Sequence, residues 1–194
     1  MPRRYVVGIS GASGVLLGVR LLEELLLRPL EVHCVLTAPA ELIMKKELGL
    51  DRQGLRRRFR AELRDKSLRL YADSELAAPI ASGSFRTEAM VVAPCSVKTL
   101  SGIAHGYASG LLERAADVHI KERRLLVLAP REMPFSVLHL ECMLRLARLG
   151  VVIAPPVMGL YPRPKSVKEM VDFLVGKLLD ALGLEHELYR RWEG

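Results

Sequence analysis

Tyr5-Val6-Val7-Gly8-Ile9-Ser10-Gly11-Ala12-Ser13-Gly14 decides how the rest of the chain is read. Its first five residues are an apolar, β-branched run, and the next five form a loop of small residues. Beyond the loop, Leu16, Val19, Leu22, Leu25 and Leu26 recur at helical spacing. A buried strand, a small-residue turn and an amphipathic helix make the opening unit of an α/β fold with a mainly parallel sheet. The alternation continues outward. Glu31–Leu36, Ala89–Ala93, Leu125–Ala129 and Val151–Ala154 read as further strands. Helical patterns fall at Pro39–Leu48, near 97–105 and 111–122, at 135–149 and from about Ser166 to Leu182. The region 50–88 is less regular, with a basic helix followed by the turn-rich Ser82-Gly83-Ser84-Phe85. No repeat or linker divides the chain, so one domain over 1–194 is expected.

Composition narrows the function classes. Half of the 194 residues are hydrophobic, and the mean hydropathy of +0.19 is high for so small a domain. That balance points to apolar surface covered by other subunits. No apolar run approaches the ~20 residues that span a bilayer, and the start of the chain lacks the apolar core of a signal peptide. Cys34, Cys95 and Cys142 are scattered and odd in number, and the five histidines show no ligand spacing. A reducing, cytoplasmic setting without disulfide or metal site is the expectation. The net charge of +7 is densest at Arg56, Arg57, Arg58, Arg60 and Arg64. Glu62 and Asp65 interrupt that stretch and no aromatic stacking set accompanies it, so a solvated helix face is favoured over nucleic-acid binding.

In open α/β sheets ligands sit beyond the carboxyl ends of the strands. After the first strand the glycines are spaced by three, which is neither the dinucleotide fingerprint nor a Walker loop. Small residues there still let a ligand approach the backbone, and the following helix offers N–H groups to a phosphate. Thr37 ends the second strand, although a threonine there is also an ordinary helix cap. After the third strand, Pro94-Cys95-Ser96-Val97-Lys98-Thr99-Leu100-Ser101-Gly102 brings hydroxyls and a cation to another helix start. Arg131 and Glu132 follow the fourth strand, and the stiff loop Pro155 to Pro164 after the fifth presents Tyr161 and Arg163. Polar groups at every strand end point to a small-molecule site.

These stretches, with Ser82-Gly83-Ser84-Phe85, Lys121-Glu122-Arg123-Arg124, Arg131-Glu132-x-Pro134 and Tyr161-x-Arg163-Pro164, resemble the motifs of the UbiX-type flavin prenyltransferases in order and spacing over almost the whole chain. The resemblance implies a flavodoxin-like, Rossmann-type fold, a homododecamer, and FMN bound between subunits without a metal. It implies transfer of a dimethylallyl group from dimethylallyl phosphate to reduced FMN at N5, ring closure through C6, and delivery of the product to a UbiD-type decarboxylase. By motif, Gly11, Ala12, Ser13, Thr37, Ser96, Val97, Lys98, Thr99 and Arg131 would hold FMN. Arg114, Lys121, Tyr161 and Lys177 would hold the substrate phosphate, and Ser13, Glu47, Glu132 and Trp192 would serve the chemistry. Thr37 stands where many members have serine, and Lys177 where many have arginine, which keeps charge but loses the bidentate fork. Read without the resemblance, Glu47 beside Lys45 and Lys46 is a surface charge and Trp192 a tail anchor. The alternative is an FMN-dependent decarboxylase of phosphopantothenoylcysteine or cysteinyl peptides. That group typically has Pro-Ala-Ser-Ala-Asn-Thr where this chain has Pro94-Cys95-Ser96-Val97-Lys98-Thr99.

Overall fold

Strand residues alternate between two faces, and here both faces are buried. Tyr5, Val7 and Ile9 enter one apolar core while Val6 enters the other. Likewise Val32, Cys34 and Leu36 face one way and Val35 the other. The computed structural model, which describes residues 3–192, assembles these strands into one parallel sheet of order β3-β2-β1-β4-β5-β6. The strands are β1 (Arg3–Ile9), β2 (Leu30–Leu36), β3 (Leu68–Ala72), β4 (Ala89–Cys95), β5 (Leu125–Pro130) and β6 (Val152–Ile153). On one face lie α1 (Val15–Leu26), α2 (Ala38–Leu48), α3 (Arg52–Arg58) and α8 (Val167–Ala181), which contribute Leu21, Met44, Leu55 and Leu179 to the first core. The other face carries α5 (Val97–Ala104), α6 (Leu111–Lys121) and α7 (Val137–Arg148), which contribute Leu100, Leu112 and Leu146 to the second. The chain winds outward from β1 to β3, then returns to pair β4 with β1. That reversal opens a crevice at the carboxyl ends of β1 and β4.

The expected α/β architecture holds, with one strand more than the periodicity predicted. The additional strand, β3, lies inside the region read as irregular. It is an edge strand, Leu68 alone of its five residues is buried, and Arg69 interrupts its apolar pattern. The basic stretch divides into α3 and α4 (Arg60–Asp65). Leu55 and Phe59 plug into the core, Arg58 pairs with Glu23, and α4 buries no side chain, as a solvated face should. The last strand expected, Val151–Ala154, shortens to two residues. No helix among the described residues is long and apolar enough to cross a membrane.

Near the amino ends of the strands, Glu31 accepts hydrogen bonds from Arg4 Nε at 2.8 Å and Arg69 Nε at 2.9 Å. Burial pushes the adjacent His33 down to about 4, only partly offset by Glu31 at 3.2 Å. Burial also pushes His119 down to about 4. Its Nδ1 faces the Ala115 carbonyl at 2.8 Å and so carries the proton, which leaves Nε2 to accept from the Thr87 hydroxyl at 2.9 Å. In the unfolded chain both imidazoles take up protons near pH 6.5, above where the folded protein does. Stability is therefore full above that value and falls as pH drops towards 4, by on the order of 3 kcal/mol per histidine. Melting temperatures should decline across this window, and NMR titration should show two imidazoles still neutral at pH 5. Full protonation of His33 and His119 at pH 5 would refute this assignment.

Candidate functional site

The turns after β1 and β4 are joined by Ser10, which is fully buried. Its backbone N–H and its hydroxyl donate to the Pro94 carbonyl at 3.2 and 3.0 Å, and the hydroxyl accepts from Ser96 N–H at 2.7 Å. The same small-residue loop packs on the first turn of α2, where a Cβ at Gly11 would overlap Pro39 Cβ. Thr37 Oγ1 accepts from Ala40 N–H at 3.3 Å and caps α2. Ser96 Oγ accepts from Thr99 N–H at 3.3 Å and caps α5, while its own proton lies towards Thr99 Oγ1 at 3.1 Å. These hydroxyls secure helix starts at the rim of the crevice. Ala12 is buried beneath them and Ser13 is exposed.

At the start of α1 the structure departs from expectation. The N-cap is Gly14, in the left-handed region at φ +91°, and it has no side chain with which to cap. Glu47 reaches over from α2 and supplies the acceptor: its carboxylate lies 3.0 and 3.2 Å from Gly14 N–H and 3.2 Å from Val15 N–H. The donors expected to face a phosphate thus already hold an anion belonging to the chain. This contact brings Glu47 beside Ser13 in a cleft of about 410 Å³. Pro94, Arg131 and Pro156 complete the rim, and Leu17, Leu48, Val171 and Leu174 form an apolar wall. An apolar wall with a few convergent polar groups suits a largely apolar ligand with a polar end, and of the residues expected to hold FMN it includes Ser13 and Arg131. A second cavity of about 560 Å³ shares Leu17, Pro156 and Leu174 with the first and adds Lys177 and Asp180. Ser13, Glu47 and Arg131 therefore border one cleft, and Lys177 lines the cavity next to it, across the wall that the two share.

Other expected residues lie elsewhere. Lys98 turns to Glu113 Oε1 at 2.7 Å and Ser109 Oγ at 2.9 Å. Glu113 is buried, which raises its pKa, yet the bonds from Lys98 and Ser109 outweigh burial and hold the carboxyl below its ordinary value. In this structure Lys98 is thus the counter-ion of a buried carboxylate, because leaving that charge unpaired would be costly. Val97 is the residue before it, in the first turn of α5. Arg114 bonds the Ala81 carbonyl at 3.2 Å and Asp117 at 3.1 Å, and Lys121 pairs with Glu122 at 2.8 Å. Both sit on α6, across the sheet from α1 and α8, and the helix carries Lys121 about 10 Å beyond Arg114 towards the amino ends of the strands. Neither lines the cleft. Glu132 accepts from Met133 N–H at 3.1 Å in the turn after β5. Tyr161 meets the Phe173 ring edge-on at 5.8 Å and the Trp192 ring at 5.7 Å. Ser10 and Asp180 were not singled out from sequence: one is a serine in a serine-rich loop, the other an acid on an amphipathic helix. Among the described residues no group of three or more His, Cys, Asp or Glu side chains could hold a metal ion.

The Flavoprotein family model matches residues 1–179. A curated relative, the flavin prenyltransferase UbiX of Alkalihalophilus pseudofirmus, is 48% identical over 188 residues, covering 96% of this chain and 94% of its own. The crystal structure of AnUbiX (PadA1) in complex with FMN and dimethylallyl pyrophosphate superposes with a TM-score of 0.92 at 38% identity, covering 100% of this chain and 99% of that one. A dodecameric, FMN-dependent UbiX-like decarboxylase from Escherichia coli O157:H7 superposes with a TM-score of 0.91 at 44% identity, covering 98% of this chain and 100% of that one.

The cap on α1 is open to measurement in the ligand-free protein. Replacing Glu47 with alanine removes the acceptor of two helix-end N–H groups and should cost about 1 kcal/mol. That corresponds to a melting temperature lower by roughly 2–4 °C in a protein of this size. Glu47→Gln retains one acceptor oxygen and should recover part of the loss. An alanine variant that melts like the parent would show that the carboxylate does not cap α1.

Proposed function

The chain belongs to the UbiX-type flavin prenyltransferases, and from that premise we propose that it transfers the dimethylallyl group of dimethylallyl phosphate to reduced FMN, joining it at N5 and closing a fourth ring through C6. The convergence of Ser13, Glu47 and Arg131 on one apolar-walled cleft at the sheet's switch point, with Lys177 in the adjoining cavity, supports this reading most directly. The product is the cofactor of a partner UbiD-type decarboxylase. Reduced FMN supplies the nucleophilic positions, and the protein supplies orientation, charge and proton transfer.

Gly11, Ala12, Ser13, Ser96, Val97 and Thr99 would hold FMN from the two strand-end turns that Ser10 ties together, joined by Thr37 after β2 and Arg131 after β5. Lys98 would join them only by leaving Glu113. As the prenyl group departs, negative charge grows on the phosphate and positive charge on the allyl fragment. Lys177, Tyr161, Arg114 and Lys121 would offset the first. The face of Trp192 would stabilise the second by ~0.5–2 kcal/mol. Glu47, steered by Gly14 and Val15 N–H, is suited to accept the proton released on ring closure, and Glu132 to relay one to the phosphate. One FMN-binding domain over 1–194 is the reading we propose, and the sharing of one sheet by all six strands supports it. A cytoplasmic location agrees with its three unpaired thiols. The cysteine-decarboxylase reading shares the fold but lacks the near full-length identity of 48% that supports the prenyltransferase reading.

Arg114 and Lys121 lie across the sheet from the cleft, so they would act on a site of a neighbouring copy. The surface suits assembly. Helix α7 exposes Val137, Leu138, Leu140 and Leu144, each more than half accessible, and Leu149 follows at its end. We propose that other copies cover this face in a homododecamer.

Purified protein given reduced FMN and dimethylallyl phosphate should yield prenylated FMN by mass spectrometry. Glu47→Gln should bind FMN nearly normally and lose roughly 10²–10⁴-fold in turnover, the range of a general base. Full turnover in that variant would remove Glu47 from the chemistry. Charging the α7 face with Leu138→Asp and Leu144→Asp should leave smaller species by light scattering and abolish activity. An active monomer would contradict a site shared between copies.

A further inference from the structure

Four side chains converge on one carboxylate at the end of α8. Asp180 Oδ1 lies 3.1 Å from His186 Nε2 and accepts from Arg191 Nη2 at 2.9 Å. Its Oδ2 accepts from the Tyr189 hydroxyl at 2.5 Å and from Lys177 Nζ at 3.4 Å. Burial opposes the ionised form, but the bonds from Arg191 and Tyr189 outweigh it and hold the Asp180 carboxyl well below the usual carboxylate range. Three of the four partners belong to the segment that follows α8, and only Lys177 belongs to the helix.

That segment lies flush on α8 because of Gly176. A Cβ there would sit 2.6 Å from the rings of both His186 and Tyr189. Glycine inside a helix costs roughly 0.5–1 kcal/mol relative to alanine, so the position serves the contact. One turn earlier, Phe173 packs on Tyr189 with ring centres 4.9 Å apart and meets Tyr161 on its other side at 5.8 Å. Trp192 closes the row against Tyr161. An unbroken series of contacts therefore runs from Asp180 through Tyr189 and Phe173 to Tyr161 and Trp192. Asp180 and Lys177 also line the 560 Å³ cavity.

Resting on the reading of Lys177 and Tyr161 as phosphate ligands, we propose that Asp180 is a positioning residue for the prenyl donor. It straps residues 186–192 onto α8, which sets Tyr161 and Trp192, and it parks Lys177 at the cavity wall until a substrate phosphate draws the ammonium away. The geometry favours this exchange. The Lys177 contact is the longest of the four and more than half of that side chain is exposed. When it leaves, Asp180 keeps three donors, so no buried carboxylate is stranded.

Trp192 is the chain's sole tryptophan, so its emission reports the strap apart from activity. In flavin-free Asp180→Asn protein, the anisotropy of that emission should fall, since the ring, already 71% exposed, is held in place by the strap more than it is covered. KM for dimethylallyl phosphate should rise roughly tenfold, equivalent to about 1.4 kcal/mol, with a smaller change in kcat and unchanged FMN affinity. A released tryptophan with an unchanged KM would overturn the positioning role, and an unchanged tryptophan signal would overturn the strap. If Asp180→Asn does not fold, Tyr189→Phe removes one donor and keeps the ring on Phe173. It should then give both shifts to a smaller degree, and their absence counts against the proposal. Parent protein that forms no prenylated FMN would defeat the functional reading instead, while the tryptophan comparison still judges the strap.

Discussion

A buried hydroxyl, that of Ser10, ties the two halves of the sheet together where their chain directions diverge. A parallel sheet leaves backbone groups unpaired where its strands stop, and buried unpaired groups are costly. Ser10 answers both ends at once, donating to Pro94 beyond β1 and accepting from Ser96 at the start of α5. The loop before α1 and the loop before α5 are therefore tied directly to each other. A ligand lodged between them meets a rim whose shape is already set, so little ordering is left for the moment of binding.

Several polar residues at this rim perform a structural task that coincides with their chemical suitability. Thr37 and Ser96 begin helices, and Glu47 ends the exposure of α1's first N–H groups. Such duties do not compete with function. A carboxylate held by two backbone donors points in one direction, as a group that handles protons must. Lys98 differs, because its partner Glu113 lies on α6 and holds the Ser109–Gly110 turn as well.

Strands buried on both faces announce themselves as continuous apolar runs, which is why β1, β2, β4 and β5 were legible from Tyr5-Val6-Val7 and its counterparts. Strand β3 was not, since an edge strand tolerates Arg69 and so loses the pattern that marks its neighbours. At the site, the loops after each strand were legible as polar groups in unexpected company. Which partner each group would choose was not. Glu47 and Gly14 are 33 residues apart in sequence, and Ser10 and Ser96 are 86 apart. Nothing local to either member records such a pairing. Asp180 was hidden for the same reason: its role depends on a chain reversal that brings Tyr189 and Arg191 back onto the helix.

The two edges of the sheet bear on how copies of this chain can meet. One edge is β3, five residues long, and the other is β6, with two. At about 3.3 Å per residue, β6 offers less than 10 Å of open backbone. So short an edge offers little to a strand from another molecule, and β3 carries Arg69, a charged side chain of the kind that blunts an edge. Association is left to side chains on helical faces, where complementarity must be met residue by residue. Contacts of that kind select one relative rotation of the copies, and copies so related form a finite particle when that rotation closes on itself.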